Sequence, residues 1–466
     1  MQKLFIRDRG FYKQTSKIAI PIALQGLITT GVNMMDTVMV GKVGELQLSA
    51  VSLANSFITI FQIFCMGIGM GASVLVARYY GMKDQKGLKG TVSIMLRLCL
   101  GMSVLFCAAT ILAPEMIMKL YTGNSGEELE SIEKIIGYGV VYLKYSVVTY
   151  FLLGLSLTCT IVLRNVGKMR IPLYTSIAAF FINVGANYAF IFGNFGAPEM
   201  GVAGAAVGTL IARVFEFAVI CGYMFLRDKE IHFRWPDLFT PVGKLWNEYI
   251  RMSIPVLVSD GILALGNNAV AMIIGRLGGN FVAANAVTTV AQQLSTVMIS
   301  GFSQAGAIVT GYTLGQGDRQ KAQDQGYAFL GLGFVFGIAA AIIILIISAP
   351  LITAYGLSDK TREIAWHLMM AISIIIVFQA TNSIMTKGVL RGGGDTKVLM
   401  LADNIFLWAA SIPLGYLAGH VLGLPAFWIY FCLKIDQVLK AVWCVIRLRS
   451  GKWIKKIKSS AEMDAA

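Results

Sequence analysis

Runs of about 20 or more mostly apolar residues recur along almost the whole of this 466-residue chain. At about 1.5 Å per residue, each run can cross the roughly 30 Å hydrocarbon core of a bilayer as an α-helix. Charged residues make up only 14% of the chain, against about 25% in soluble domains. Membrane barrels are excluded because their strands alternate apolar and polar residues. We therefore predict an all-α polytopic membrane protein.

Twelve transmembrane helices are predicted. The Lys and Arg residues of the connecting segments and ends number 28 on one side and 6 on the other. Because cytoplasmic segments carry the excess of Lys and Arg, we expect both termini in the cytoplasm, with the protein in the plasma (inner) membrane. The approximate spans are 18–40, 50–77, 91–113, 135–163, 171–193, 201–226, 252–274, 281–314, 325–349, 364–388, 397–420 and 424–446.

The two halves of the chain repeat each other. IAIP at 18–21 matches MSIP at 252–255, and VLRNVGK at 162–168 matches VLRGGGD at 389–395. Six spans in each half predict two six-helix lobes related by a pseudo-two-fold axis along the membrane normal, a transporter architecture. The predicted divisions are 1–226 for the first lobe, 227–251 for a cytoplasmic linker, and 252–466 for the second lobe with its basic tail.

Several other classes of protein are disfavoured. The net charge of +14 is spread between apolar runs and at the ends, so nucleic acid is not an expected partner. RGGGDTK at 391–397 resembles a phosphate-binding loop but lacks a preceding strand, so it is interpreted as a tight turn between spans ten and eleven. No histidine or cysteine grouping indicates an enzyme, a metal centre or a cofactor, and no obligate protein partner is evident.

Asp36 is the most informative charge within the spans. A charge near a span centre costs about 2.5–3.5 kcal/mol on the insertion scale and usually faces a cavity or a partner. Gln25, Thr29, Asn33 and Asp36 are spaced so that they share one helix face. The repeat-equivalent residue is Val270, so Asp36 belongs to the first half alone. We expect it to exchange a proton for another cation; the alternative is a carboxylate satisfied by a neighbour for packing.

Asn183 and Asn187 lie one turn apart in span five. With Asp36 and Thr209 they would form an oxygen-lined pocket suited to Na⁺ or a proton relay. The alternative is that the two amides only join helices by hydrogen bonds.

Three acids mark the second half: Asp260 in span seven, Asp403 in span eleven and Asp436 in span twelve. They are interpreted either as a second site or as structural ion pairs. The expected pairs are Asp436 with Lys440, Asp403 with Lys434 and, in the first half, Arg213 with Glu216.

Five segments follow one another along nearly the whole chain: IAIPIALQGLITTGVNMMDTVMVGKVG, GASVLVARYYGMKD, FINVGANYAFIFG, GVAGAAVGT and VLRGGGDTK. In their order and spacing they resemble the multidrug and toxic compound extrusion (MATE) family, prokaryotic branch. This resemblance implies two six-helix lobes around a central cleft. It also implies efflux of cationic or amphipathic organic compounds, driven by inward H⁺ or Na⁺.

Residue by residue, the resemblance places a cation site at Asp36, Asn183 and Asn187, with Thr209 matching a span-six hydroxyl ligand. Some relatives carry Asp where this chain has Asn187. Other branches use acids in spans seven and ten, but span ten here has no carboxylate. The candidates for the substrate cleft are Gln25, Asn33, Asp260, Asp403 and Asp436.

The nearest rival function is a flippase for a lipid-linked precursor, which related members of the superfamily perform. A flippase would favour a cleft lined by several cations, whereas the candidates here are mainly acids. A channel or a structural membrane protein is less favoured because no filter motif is found.

Overall fold

The computed structural model describes residues 9–122 and 129–464, and this part of the chain is largely α-helical. Four π-helical turns continue α7, α11, α12 and α13, and two short 3₁₀ helices lie in the connections. The α-helices are α1 Arg9–Gly41, α2 Glu45–Met82, α3 Gln85–Leu112, α4 Pro114–Thr122, α5 Leu129–Asn165, α6 Arg170–Phe192, α7 Val202–Gly222, α8 Leu245–Arg276, α9 Gly279–Gly315, α10 Arg319–Ala354, α11 Asp359–Ser383, α12 Thr396–Phe406, α13 Ile412–Tyr416, α14 Ala426–Leu433, α15 Ile435–Arg449 and α16 Ser460–Asp464.

The predicted spans all fall on helical segments. Among the described residues, ten helices are long and apolar enough to cross a membrane. The other two predicted spans, 281–314 and 424–446, are not among these ten helices, each for a local reason. Helix α9 carries many Thr, Ser and Gln side chains, and span twelve is interrupted at Lys434, which leaves the helical conformation between α14 and α15. The all-α polytopic fold class is confirmed.

The helices are grouped in two compact units. One contains Leu24–Val76 and Gln85–Tyr249; the other contains Met1–Ala23, Ala77–Asp84 and Ile250–Ala466. Helix α1 therefore contributes to both units, and the assignment changes two residues after the Pro21 inside it. The lobe boundaries predicted from the sequence stay a prediction.

Helices α6 and α7 approach closely in the first unit, and this contact positions the candidate site. A Cβ atom on Gly204 of α7 would overlap the backbone carbonyl of Phe190 on α6. Small residues permit such contacts between membrane helices. Beside this pair, an aromatic cluster joins α2 to α5, with the ring centroids of the fully buried Phe61 and Tyr150 5.2 Å apart.

The predicted linker segment packs on α3 through a 3₁₀ helix, Trp235–Phe239. Lys89 forms an ion pair of 3.0 Å with Asp237, and Ser93 donates a hydrogen bond to the carbonyl of Leu238. Burial raises the pKa of Asp237, but hydrogen bonds from the backbone N–H of Arg234 and from Lys89 outweigh it, so the pKa lies below its ordinary value. The segment is thus tied to α3 by polar contacts.

The RGGGDTK segment forms the predicted turn before α12. Gly394 adopts a φ of +85°, which favours glycine. Asp395 follows it at only 1% exposure and accepts two hydrogen bonds from Arg447, at 2.7 and 3.0 Å. The tight-turn interpretation is confirmed, and the turn is an attachment point for the C-terminal segment.

Candidate functional site

A cavity of about 370 Å³ lies in the first unit against the polar face of α1. Thr29, Asn33 and Asp36 of the predicted stripe all line it. Gln25 does not line it directly; its side chain is buried, donating a hydrogen bond to Ser176 at 2.9 Å and accepting one from Arg164. Three of the four stripe residues therefore reach the cavity.

The carboxylate of Asp36 is held by the buried amides of α6. Asn187 Nδ2 donates to Asp36 Oδ1 at 2.5 Å and to Asn183 Oδ1 at 3.3 Å. Both asparagines are nearly fully buried. The predicted grouping of Asp36 with the two span-five amides thus exists as a hydrogen-bonded set; its role as a cation site stays a prediction.

The side-chain oxygen of Asn187 is an unpaired hydrogen-bond acceptor within the described chain. This Oδ1 atom is buried. Helix α7 leaves room for it, because a Cβ on Gly208 would overlap Asn187 Oδ1. A buried unpaired acceptor costs stability unless a donor or a cation satisfies it. The unpaired acceptor thus lies on the α7 side of an amide whose nitrogen donates to Asp36.

Thr209 follows Gly208 and lines the cavity together with Tyr142 of α5. The Tyr142 hydroxyl donates to Asn55 Oδ1 at 3.2 Å and also interacts with the Thr209 side chain. The sequence reasoning missed Tyr142 and Asn55. An Asn inside an apolar span was the available signal, but nothing local indicated that it would face this cavity.

Arg213 and Glu216 lie in the same cavity and form the predicted intrahelical ion pair, with 2.6 Å between Nη1 and Oε2. Arg213 acts on Asp36 electrostatically without forming an ion pair with it. Among the residues that the structure describes, Asp36 has no ion-pair partner. Its carboxylate is therefore not locked to a basic neighbour.

In the second unit, Lys440 joins two of the predicted acids. Its ammonium lies 3.0 Å from Asp436 Oδ2 and 3.7 Å from Asp403 Oδ1. The pairing of Asp436 with Lys440 is confirmed, but that of Asp403 with Lys434 is wrong. Lys440 lies one turn beyond Asp436 on α15, the helix that packs on α12, whereas Lys434 lies at the break before α15.

Asp436 is satisfied further by Ser411, which donates to its Oδ1 at 2.9 Å. Asp260 of α8 forms no ion pair within the described residues and is only partly buried. It lies near enough to Lys387 to act on it electrostatically. Whether these acids contact a substrate stays a prediction.

Comparison with known proteins relates the chain to one family. The family model described as MatE matches residues 21–189 and 255–417. A probable multidrug resistance protein NorM of Thermotoga maritima is 28% identical over 451 residues, spanning 95% of this chain and 93% of that protein. The multidrug resistance protein MdtK of Edwardsiella ictaluri is 24% identical over 460 residues, spanning 94% of each chain.

A solved structure shares the fold. It is described as the outward-facing conformation of a multidrug resistance MATE family transporter of the MOP superfamily. It superposes with a TM-score of 0.82 at 20% identity, covering 94% of this chain and 96% of that one. The twelve-helix, two-lobe fold class is confirmed.

Proposed function

This chain belongs to the MatE family, and we propose that it is a secondary active antiporter that exports cationic or amphipathic organic compounds in exchange for H⁺ or Na⁺. The observation that carries the proposal is Asp36, a carboxylate that lines a membrane-embedded cavity and has no ion-pair partner among the residues that the structure describes. Ionisable groups at such places usually mark ion or substrate pathways. The relatives' designation as multidrug resistance proteins supports the same substrate class.

The coupling cation would bind beside the Asp36 carboxylate. Asp36, the amide oxygens of Asn183 and Asn187, and the Thr209 hydroxyl are the oxygens that hard cations prefer. Na⁺ would draw the unpaired Oδ1 of Asn187 into its shell. A proton would neutralise the Asp36 carboxylate instead. In either case the cation and an organic cation compete for the same negative charge.

The cavity also suits an amphipathic substrate. Its volume of about 370 Å³ falls in the usual range for small-molecule sites. Apolar walls from α1 and α6, including Ile28 and Phe180, lie beside the carboxylate. Binding the coupling cation would bias the transporter between its conformations only through different affinities for the two states.

The charge of the cavity favours an exporter over a flippase for anionic lipid-linked precursors. Among its described lining residues, Arg213 is the single cation, and Glu216 neutralises it at 2.6 Å. The remaining charge is that of Asp36. A site for a pyrophosphate-linked lipid would need several free cations.

The proposal places both termini in the cytoplasm, with the chain multi-pass in the plasma membrane. A Lys452→Cys variant should then react with a membrane-impermeant thiol reagent only in inside-out vesicles. A Lys360→Cys variant should react only in right-side-out vesicles. Labelling of both from one side contradicts this orientation.

The function is tested in proteoliposomes with a fluorescent organic cation and a pH or Na⁺ gradient imposed separately. Wild type should show saturable counterflow with at least one gradient. Asp36→Asn should lower gradient-driven flux at least about tenfold. The matched control is Asp359→Asn, which removes an exposed carboxylate elsewhere and should keep full flux. Full coupled transport by Asp36→Asn would refute the mechanism.

A further inference from the structure

We propose that the second unit contains a binding site for a phosphate group, supplied either by an anionic phospholipid headgroup or by a soluble phosphate. The site is a cavity of about 300 Å³ between the end of α2, the turn from α9 to α10, and the C-terminal segment. Its principal cations are Arg78, Arg319, Lys455 and Lys456. We call it the basic pocket.

Arg78 is the central residue of the basic pocket. It is 3% exposed and donates hydrogen bonds to the carbonyls of Lys455 and Gly393 at 2.9 and 2.8 Å. Its Nε atom is buried and has no partner in the described chain. No carboxylate among the described residues pairs with it. A buried guanidinium held only by carbonyl dipoles is costly, and an anion would relieve that cost.

The other charges of the pocket leave it strongly positive. Arg319 is exposed, forms no ion pair with the described residues, and is close enough to Arg78 for the two like charges to interact. Lys456 is neutralised by Glu462 at 3.2 Å, the single acid among the described lining residues. Lys455 shares Asp395 with Arg447. Within the described chain, Arg78 and Arg319 are thus left without an ion-pair partner.

These cations match the chemistry of a phosphate. Its oxygens accept paired hydrogen bonds from guanidinium groups, and its charge balances several cations at once. The elements that form the pocket are all predicted to face the cytoplasm, where anionic headgroups bind basic pockets beside membrane helices. Both sources of phosphate are present on that side.

The pocket is built on an ordered C-terminal segment. Trp453 is fully buried, and its Nε1 donates to Gln323 at 2.8 Å. Ser460 donates from its backbone N–H and its hydroxyl to Asp84 at 2.7 and 2.6 Å. These contacts hold the lysines of the segment against the end of α2. The basic pocket is therefore preorganised and is not a loose surface patch.

The test uses the full chain purified in a neutral detergent. One arm counts bound phosphatidylglycerol against phosphatidylcholine by native mass spectrometry. The other compares the thermal unfolding midpoint in inorganic phosphate and in chloride at equal ionic strength. We expect at least one arm to show saturable binding or stabilisation. A response only to phosphatidylglycerol identifies a lipid headgroup, and a response to inorganic phosphate identifies a soluble ligand.

Arg319→Gln removes an exposed cation of the pocket without removing a hydrogen bond seen in the structure, so this variant should still fold. Arg78→Gln would remove buried hydrogen bonds and could prevent folding, so it is not the variant used. Arg319→Gln should weaken binding about fivefold, and Arg319→Lys should recover most of the loss. Lys452→Gln removes an exposed charge of the same segment outside the pocket and should leave affinity unchanged. Equal effects of Arg319→Gln and Lys452→Gln, or no response in either arm, would overturn the proposal.

Discussion

The side-chain amide of Asn187 donates a hydrogen bond to the Asp36 carboxylate across 2.5 Å and so joins α6 to the last two turns of α1. The oxygen of the same amide is buried and has no hydrogen-bond partner among the described residues. Under the proposed function, residue 187 would therefore influence which cation the site prefers.

The first prediction concerns the charge at that position. Asn187→Asp places a second carboxylate at hydrogen-bond distance from Asp36, and two such groups are not both ionised without a cation. We expect the apparent affinity for Na⁺ to rise about tenfold, or ~1.4 kcal/mol. The measurement is the Na⁺ dependence of counterflow in proteoliposomes. Asn187→Ala is the matched control and should not raise it; an unchanged Na⁺ dependence in Asn187→Asp contradicts the site.

The second prediction concerns the space beside Asn187. In Gly208→Ala the new methyl group would overlap Asn187 Oδ1, so the amide must shift from the position in which it donates to Asp36. We expect transport to fall several-fold and stability to decrease by about 1–3 kcal/mol. Gly222→Ala on the same helix meets no atom within 4 Å and should behave as wild type. Normal flux in Gly208→Ala would show that the amide position does not matter.

The third prediction concerns the ion-pair cluster of the second unit. Lys440→Met leaves the buried Asp436 and Asp403 without their shared cation and should cost about 3–5 kcal/mol. Lys434→Met, which breaks no ion pair within the described residues, should cost much less. The measurement is the loss of stability of each variant on thermal unfolding in detergent. Equal losses of stability in the two variants would mean that the ion pairs of Lys440 do not stabilise the fold.

The fourth prediction is a pH dependence at the linker segment. The pKa of Asp237 is lowered in the folded protein. The ionised carboxylate therefore contributes its full stabilisation above the pKa of the unfolded chain, about 4, and this stabilisation is lost as the pH falls through the pKa of the folded protein. Asp237→Asn should therefore cost about 0.5–1 kcal/mol at pH 7. The difference should be smaller at pH 3 than at pH 7. Unfolding measured at both pH values tests this, and a constant difference would contradict it.

Local patterns in the sequence predicted the helices and the shared helix face of the polar residues of α1. Long apolar runs indicate spans whatever they pack against, and the spacing of Thr29, Asn33 and Asp36 follows from helical geometry alone. The pairs Arg213–Glu216 and Asp436–Lys440 are three and four residues apart, so they too are visible locally.

Contacts between distant segments were not predictable in this way. Which of Lys434 and Lys440 pairs with Asp403 depends on where the helix of span twelve breaks. Neither periodicity nor composition locates that break. Tyr142 reaches Asn55 on another helix. The burial of Trp453 beside Gln323 depends on the path of the C-terminal segment. In each case the partners are far apart in the chain and carry no shared local signal.

Under the proposed antiport function, the charges around the α1 cavity would also determine how much net charge crosses the membrane in one exchange of drug for cation. Arg213 and Glu216 cancel, so of the described lining residues only Asp36 leaves a net charge of one unit. Under the proposed function, one monovalent ion would neutralise this charge. Swapping a proton or Na⁺ for a singly charged drug would then be electroneutral and insensitive to membrane voltage, whereas a doubly charged drug would generate a current.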